Sequence, residues 1–149
     1  MKRFVAVLAA GTALSSLGFA GAAQATAQTT GTTAGTTTTA TTTCADGPVG
    51  ALRSQVCVTI DGTGVTAGGY TSPTRSDWTA QSASYTLTLG VVGGASLGTD
   101  TGSGILPPGG RGFGYLAATA PCGSTVTATL TTTTWGYGAT ATVTAPVTC

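Results

Sequence analysis

The stretch STVTATLTTTTWGYGATATVTAPVT, residues 124–148, decides the fold class. Folded back on itself at Trp135-Gly136, it pairs residues whose numbers sum to 271. Val126 then faces Ala145, Ala128 faces Val143 and Leu130 faces Ala141 on one side. On the other side Thr127 faces Thr144, Thr129 faces Thr142 and Thr131 faces Thr140. One face is apolar and the other hydroxyl, and a slip of one residue would drive threonine into the apolar layer. The pattern predicts an antiparallel hairpin with one buried face.

The same register sets Cys122 opposite Cys149. Four cysteines allow three pairings, which counting alone cannot separate. The hairpin favours Cys122–Cys149 and leaves Cys44–Cys57. Loops of about 14 and 28 residues would be closed, for which chain entropy gives about 3 and about 3.6 kcal/mol. These cysteines read as structural staples. The chain has no His and no C-x-x-C spacing, so neither zinc nor redox cycling is expected of them.

Upstream of the hairpin the alternation continues. Val56, Val58 and Ile60 share a face of one strand, which ends at Asp61-Gly62, and Tyr85, Leu87, Leu89 and Val91 share a face of another. Phe113 and Tyr115 mark a third, after Pro107-Pro108-Gly109-Gly110. β-Branched residues at period two, with Gly and Pro between runs and no helical periodicity, predict an all-β chain. The expectation is a single Ig-like antiparallel β-sandwich of six to eight strands over residues 44–149, with two disulfides.

Composition narrows the chemistry. The 149 residues include 35 Thr and 24 Gly, and only 6% are charged, against roughly a quarter in an ordinary domain. Glu and Asn are absent as well as His, and the one Lys is Lys2. Serines therefore have no conventional base to activate them. Four separate Asp residues, three of them near Gly (Asp46, Asp61, Asp100), read as turn formers. No catalytic residue, cofactor or metal is expected, and the chain is read as a non-enzyme.

At the N-terminus Lys2-Arg3, an apolar run from Phe4 to about Ala20, and an A-x-A site predict a secretory signal peptide over residues 1–27, cleaved after Ala25 or Ala27. Removing it leaves three Arg against four Asp, a net charge of −1. Such a chain has no basic stripe for nucleic acid or anionic lipid. Residues 28–43, almost wholly Thr, Ala and Gly, contain nothing large enough to offset the cost of ordering, and are expected to form a flexible arm. A secreted, extracellular monomer follows, with no membrane contact once the signal is removed.

Two motifs suggest chemistry. Asp100-Thr101-Gly102-Ser103 matches the aspartic protease string, but it follows Gly98-Thr99 instead of an apolar strand and is read as a turn. Gly62-Thr63-Gly64-Val65-Thr66-Ala67 fits the dinucleotide pattern loosely. Its successors Gly68 and Gly69 do not start a helix, so a hairpin is expected.

Contact surfaces are sought among the aromatics and one loop. Tyr85, Phe113 and Tyr115 sit at core parity. Trp135 and Tyr137 flank the hairpin tip, where exposure would be costly without a purpose. Leu106, Pro107, Pro108 and Arg111 combine apolar, rigid and cationic groups in a second candidate surface.

The segment Cys44-Ala45-Asp46-Gly47-Pro48-Val49-Gly50, with Cys57 and the later pair Cys122 and Cys149, is similar to the first-disulfide region of the bacterial subtilisin-inhibitor family. That resemblance implies a small exported β-rich inhibitor. Because Cys122-Gly123-Ser124-Thr125 departs from the family's reactive loop, no inhibitory residue is carried over. The Thr/Ala/Gly composition, length and four Cys also look like the apoproteins of neocarzinostatin-type chromoproteins, which implies a sandwich sheltering an apolar ligand. The expected function is a secreted, non-enzymatic β-sandwich of bacterial type that binds or builds at or outside the cell envelope. A protease inhibitor, with a protein partner, and a carrier of a small apolar ligand are the alternatives.

Overall fold

The computed structural model describes residues 28–30 and 39–149. The signal peptide expected over residues 1–27 and residues 31–38 of the arm therefore lie outside the described residues.

Nine strands are present among the described residues: β1 (Gln28–Thr30), β2 (Thr39–Asp46), β3 (Leu52–Asp61), β4 (Gly64–Pro73), β5 (Gln81–Val91), β6 (Ser96–Leu106), β7 (Arg111–Thr119), β8 (Thr125–Thr134) and β9 (Tyr137–Pro146). They form two antiparallel sheets, in the orders β1-β2-β3-β4-β7 and β6-β5-β8-β9, stacked as a sandwich. The arm was expected to stay flexible through Thr43, yet β2 begins at Thr39 and pairs Thr41 with Ile60 and Thr43 with Val58. Local burial cannot order those threonines, but a ready-made neighbouring strand edge can. Connectivity also differs from the immunoglobulin constant type, where the chain crosses to the other sheet after the second strand. Here β3 turns back into β4 within its own sheet at Gly62-Thr63, the hairpin expected of the Gly-x-Gly segment.

The C-terminal hairpin has the register derived from alternation: Val126 pairs with Ala145, Leu130 with Ala141 and Thr131 with Thr140. Val126, Leu130 and Val143 join Val56, Val58, Leu87 and Leu89 in one buried layer between the sheets. Both disulfides form, Cys44–Cys57 across β2 and β3 and Cys122–Cys149 below the last hairpin.

A chain of hydroxyls crosses this apolar layer. Ser54 on β3 bonds Thr71 on β4, and Thr71 bonds Thr132 on β8, each at 2.9 Å, with all three residues fully buried. Each hydroxyl can donate and accept, so burial is compensated without a charge. The link spans both sheets.

Two expectations fail for one reason each. Tyr115 was placed in the core, but it is 68% exposed. Gly114 takes φ +74°, and the β4–β7 register shifts there, Gly68 pairing with Tyr115 and Gly69 with Phe113. A bulge of this kind inserts one residue and reverses parity beyond it. Asp100, read as a turn former, lies in the middle of β6. Its carboxylate accepts bonds from the Tyr85 hydroxyl at 3.3 Å and the Tyr115 backbone N–H at 3.0 Å, which ties the edge of one sheet to the edge of the other. Burial, and then the Asp100 charge, raise the Tyr85 pKa above the ordinary tyrosine value.

On the outer face of the second sheet the registers join into ranks. Thr101, Thr86, Thr131 and Thr140 stand side by side across β6, β5, β8 and β9, and Thr99, Thr88, Thr129 and Thr142 form the next rank. Within them Thr129 bonds Thr142 at 3.0 Å and Thr131 bonds Thr140 at 3.2 Å.

Candidate functional site

One end of the sandwich gathers most of the surface chemistry. The β8–β9 turn consists of Trp135 and Gly136, with Gly136 at φ +78°. That left-handed position suits glycine and closes a two-residue hairpin without splaying its strands. The turn holds Trp135 at 93% exposure. Continuing the pairing of Ser84 with Thr133 by two residues sets Ser82 beside Trp135. A depression of about 320 Å³ lies there, lined by Gln81, Ser82 and Trp135. Thr134 beside it donates its hydroxyl to the Ser82 carbonyl at 2.8 Å, and the same oxygen lies 3.3 Å from Gln81 Oε1.

A second depression of about 190 Å³ adjoins it, lined by Arg75, Asp77, Trp78, Gln81 and Tyr137. Gln81 borders both. Trp78 is buried and donates from its indole to the Leu106 carbonyl at 3.3 Å, with its ring 6.0 Å from that of Tyr137. Arg75 grips Asp77 through two bonds, Nε to Oδ1 at 2.9 Å and a terminal nitrogen to Oδ2 at 2.7 Å, and reaches the Tyr137 hydroxyl at 3.4 Å. The Arg75 hydrogen bond holds the Asp77 carboxyl below its ordinary pKa, and Asp77 raises that of Arg75. A carboxylate held ionised in this way is a poor proton carrier near neutral pH. It can instead accept hydrogen bonds from a ligand beside the aromatic rings.

The two surfaces expected from sequence meet at this end, with one correction. Trp135 and Tyr137 are exposed as expected. Leu106 is fully buried and offers only its carbonyl, to Trp78. It closes β6 on the inner face, while Ile105 before it points outward at 53% exposure. Pro108 is exposed and Pro107 half-buried. The turn between them and Gly110 is pinned, because the Tyr70 hydroxyl donates to the Gly109 carbonyl and the Gly110 N–H bonds Pro107. Arg111 lies 5.7 Å from the centre of the Phe113 ring and donates to the Ile105 carbonyl at 3.4 Å. Its charge is committed to the loop.

Sequence reasoning missed Arg75, Asp77, Gln81 and Ser82. The β5–β8 pairing, between residues about fifty positions apart in the chain, brings Gln81 and Ser82 to the hairpin tip, and Arg75, with Asp77 bound to it, reaches Tyr137 there. The Arg75-x-Asp77 spacing was a usable local signal for an ion pair. No family model and no curated protein matches the chain.

Proposed function

We propose that this chain is an exported, non-enzymatic binding protein of bacterial type, acting as a monomer outside the cell, and that its contact surface is the end of the sandwich around Trp135. The observation that carries the reading is the 93% exposure of Trp135 on a turn fixed by Gly136. A large aromatic ring held in water by a rigid turn exposes apolar area at a free-energy cost unless a partner covers it. Gln81 borders the depression beside that ring and the Arg75–Asp77 pair borders the adjoining one, with groups suited to orienting a ligand. Two disulfides fit the oxidising space outside the cytoplasm.

The test compares the oxidised chain with Trp135→Ala on culture-medium and envelope fractions of the producing organism. Retention of the first and loss of the second is expected. Equal retention would remove this end of the molecule as the contact surface.

A further inference from the structure

We infer that the ligand is a neutral, hydroxyl-rich linear polysaccharide, seated with one sugar ring on Trp135 and its following residues along the threonine ranks of the β6-β5-β8-β9 sheet. The inference rests on the reading of Trp135 as a contact residue and adds the chemistry of what it contacts.

Two independent features converge. The first is the ranked face itself. Strands β5, β6, β8 and β9 contain one charged residue among them, Asp100, and it stands in register with the buried Leu87, on the inward side of the sheet. The outer face of that sheet is therefore electrically neutral and built of hydroxyls. Charged polymers are gathered by opposite charge, which this face does not supply. Each threonine hydroxyl has one donor and two acceptor sites. Bonding between neighbours, as in Thr129 with Thr142 and Thr131 with Thr140, orders the side chains and leaves further sites open. A surface that both donates and accepts, at spacings of about 4.8 Å across strands and about 6.8 Å along them, complements a partner whose own groups are hydroxyls.

The second feature is the position of Trp135. The register sets it beside Ser82, at the head of the β5 file that continues through Ser84, Thr86 and Thr88. From Ser82 to Thr88 is about 20 Å of extended strand, room for several consecutive rings. The depression beside Trp135, bordered by Gln81 and Ser82 and mostly apolar, receives the C–H edge of a ring. Indole faces carry the apolar C–H surface of a sugar ring well, and the hydroxyl ranks take its equatorial oxygens.

The experiment is co-sedimentation of the full oxidised chain with microcrystalline cellulose and with chitin as neutral probes, and affinity electrophoresis through an anionic polyuronate. Three proteins are compared: the natural chain, Trp135→Ala, and the double variant Thr88→Val, Thr131→Val, which keeps β-branched shape while removing two hydroxyls. Near-ultraviolet circular dichroism verifies that each is folded. The inference expects retention on at least one neutral probe, unchanged by added salt, weakened about tenfold or more by Trp135→Ala and severalfold by the double valine variant. It is overturned if neither neutral probe retains the chain, if retention occurs only on the polyuronate and falls with salt, or if the valine variant binds as the natural chain does. Loss of envelope or medium retention in Trp135→Ala, with no binding to either neutral probe, would overturn this ligand while leaving the contact surface in place.

Discussion

Gly114 and Gly136 adopt nearly the same left-handed backbone, φ +74° and +78°, in opposite surroundings. A Cβ on Gly114 would stand 2.9 Å from Leu87 Cβ and 3.0 Å from its Cδ2, whereas one on Gly136 would meet nothing within 4 Å. Alanine at Gly136 should therefore cost only the left-handed penalty, about 1–2 kcal/mol. Alanine at Gly114 adds a clash with a fully buried leucine, and the total should reach about 3 kcal/mol or more. Urea denaturation of the two variants measures the difference. Equal losses would mean that the Gly114 bulge does not press on the core, and the account of why Tyr115 faces water would fail with it.

Among the elements, the Ser54–Thr71–Thr132 chain makes the two sheets one unit. Thr71→Val should cost about 2 kcal/mol, because two buried hydroxyls lose a partner. Converting all three sites to apolar residues of similar shape, with Ser54→Ala, Thr71→Val and Thr132→Val, should recover most of that loss, and denaturation of single, double and triple variants reads the coupling. Additive losses would show that the hydroxyls act separately. How far each element was legible follows the range of its contacts. The β8–β9 register could be read from alternation because both strands lie on one short loop, so that Leu130 and Ala141 identify each other. Leu106 and Tyr115 could not be placed, since one terminates its strand inward and the other follows a bulge, and neither breaks the local pattern. Thr39–Thr43 carries no burial signal, and its order comes from β3, which the local sequence does not contain. For the candidate site, the hairpin tip was visible in sequence, but the Gln81 and Ser82 wall needed a pairing between distant strands.

At the scale of the whole molecule, a chain with so few charges is held by one apolar layer, a hydroxyl link and two covalent clasps. The clasps join residues 13 and 27 positions apart. Chain entropy assigns them about 3 and about 3.6 kcal/mol, a large part of a typical domain's 5–15 kcal/mol. The Cys122–Cys149 clasp also ties together the two ends of the β8–β9 hairpin, in the sheet that carries Trp135 and the threonine ranks. The measurement that tests this account most directly is a tryptic peptide map of the protein recovered from culture medium, run without reduction. Cleavage after Arg53, Arg75 and Arg111 separates Cys44 from Cys57 but leaves Cys122 and Cys149 in one peptide. The peptide ending at Arg53 should be linked to residues 54–75, and residues 112–149 should run alone, lighter by two hydrogens than the reduced form. Free thiols, or a link from residues 112–149 to either other peptide, would contradict it.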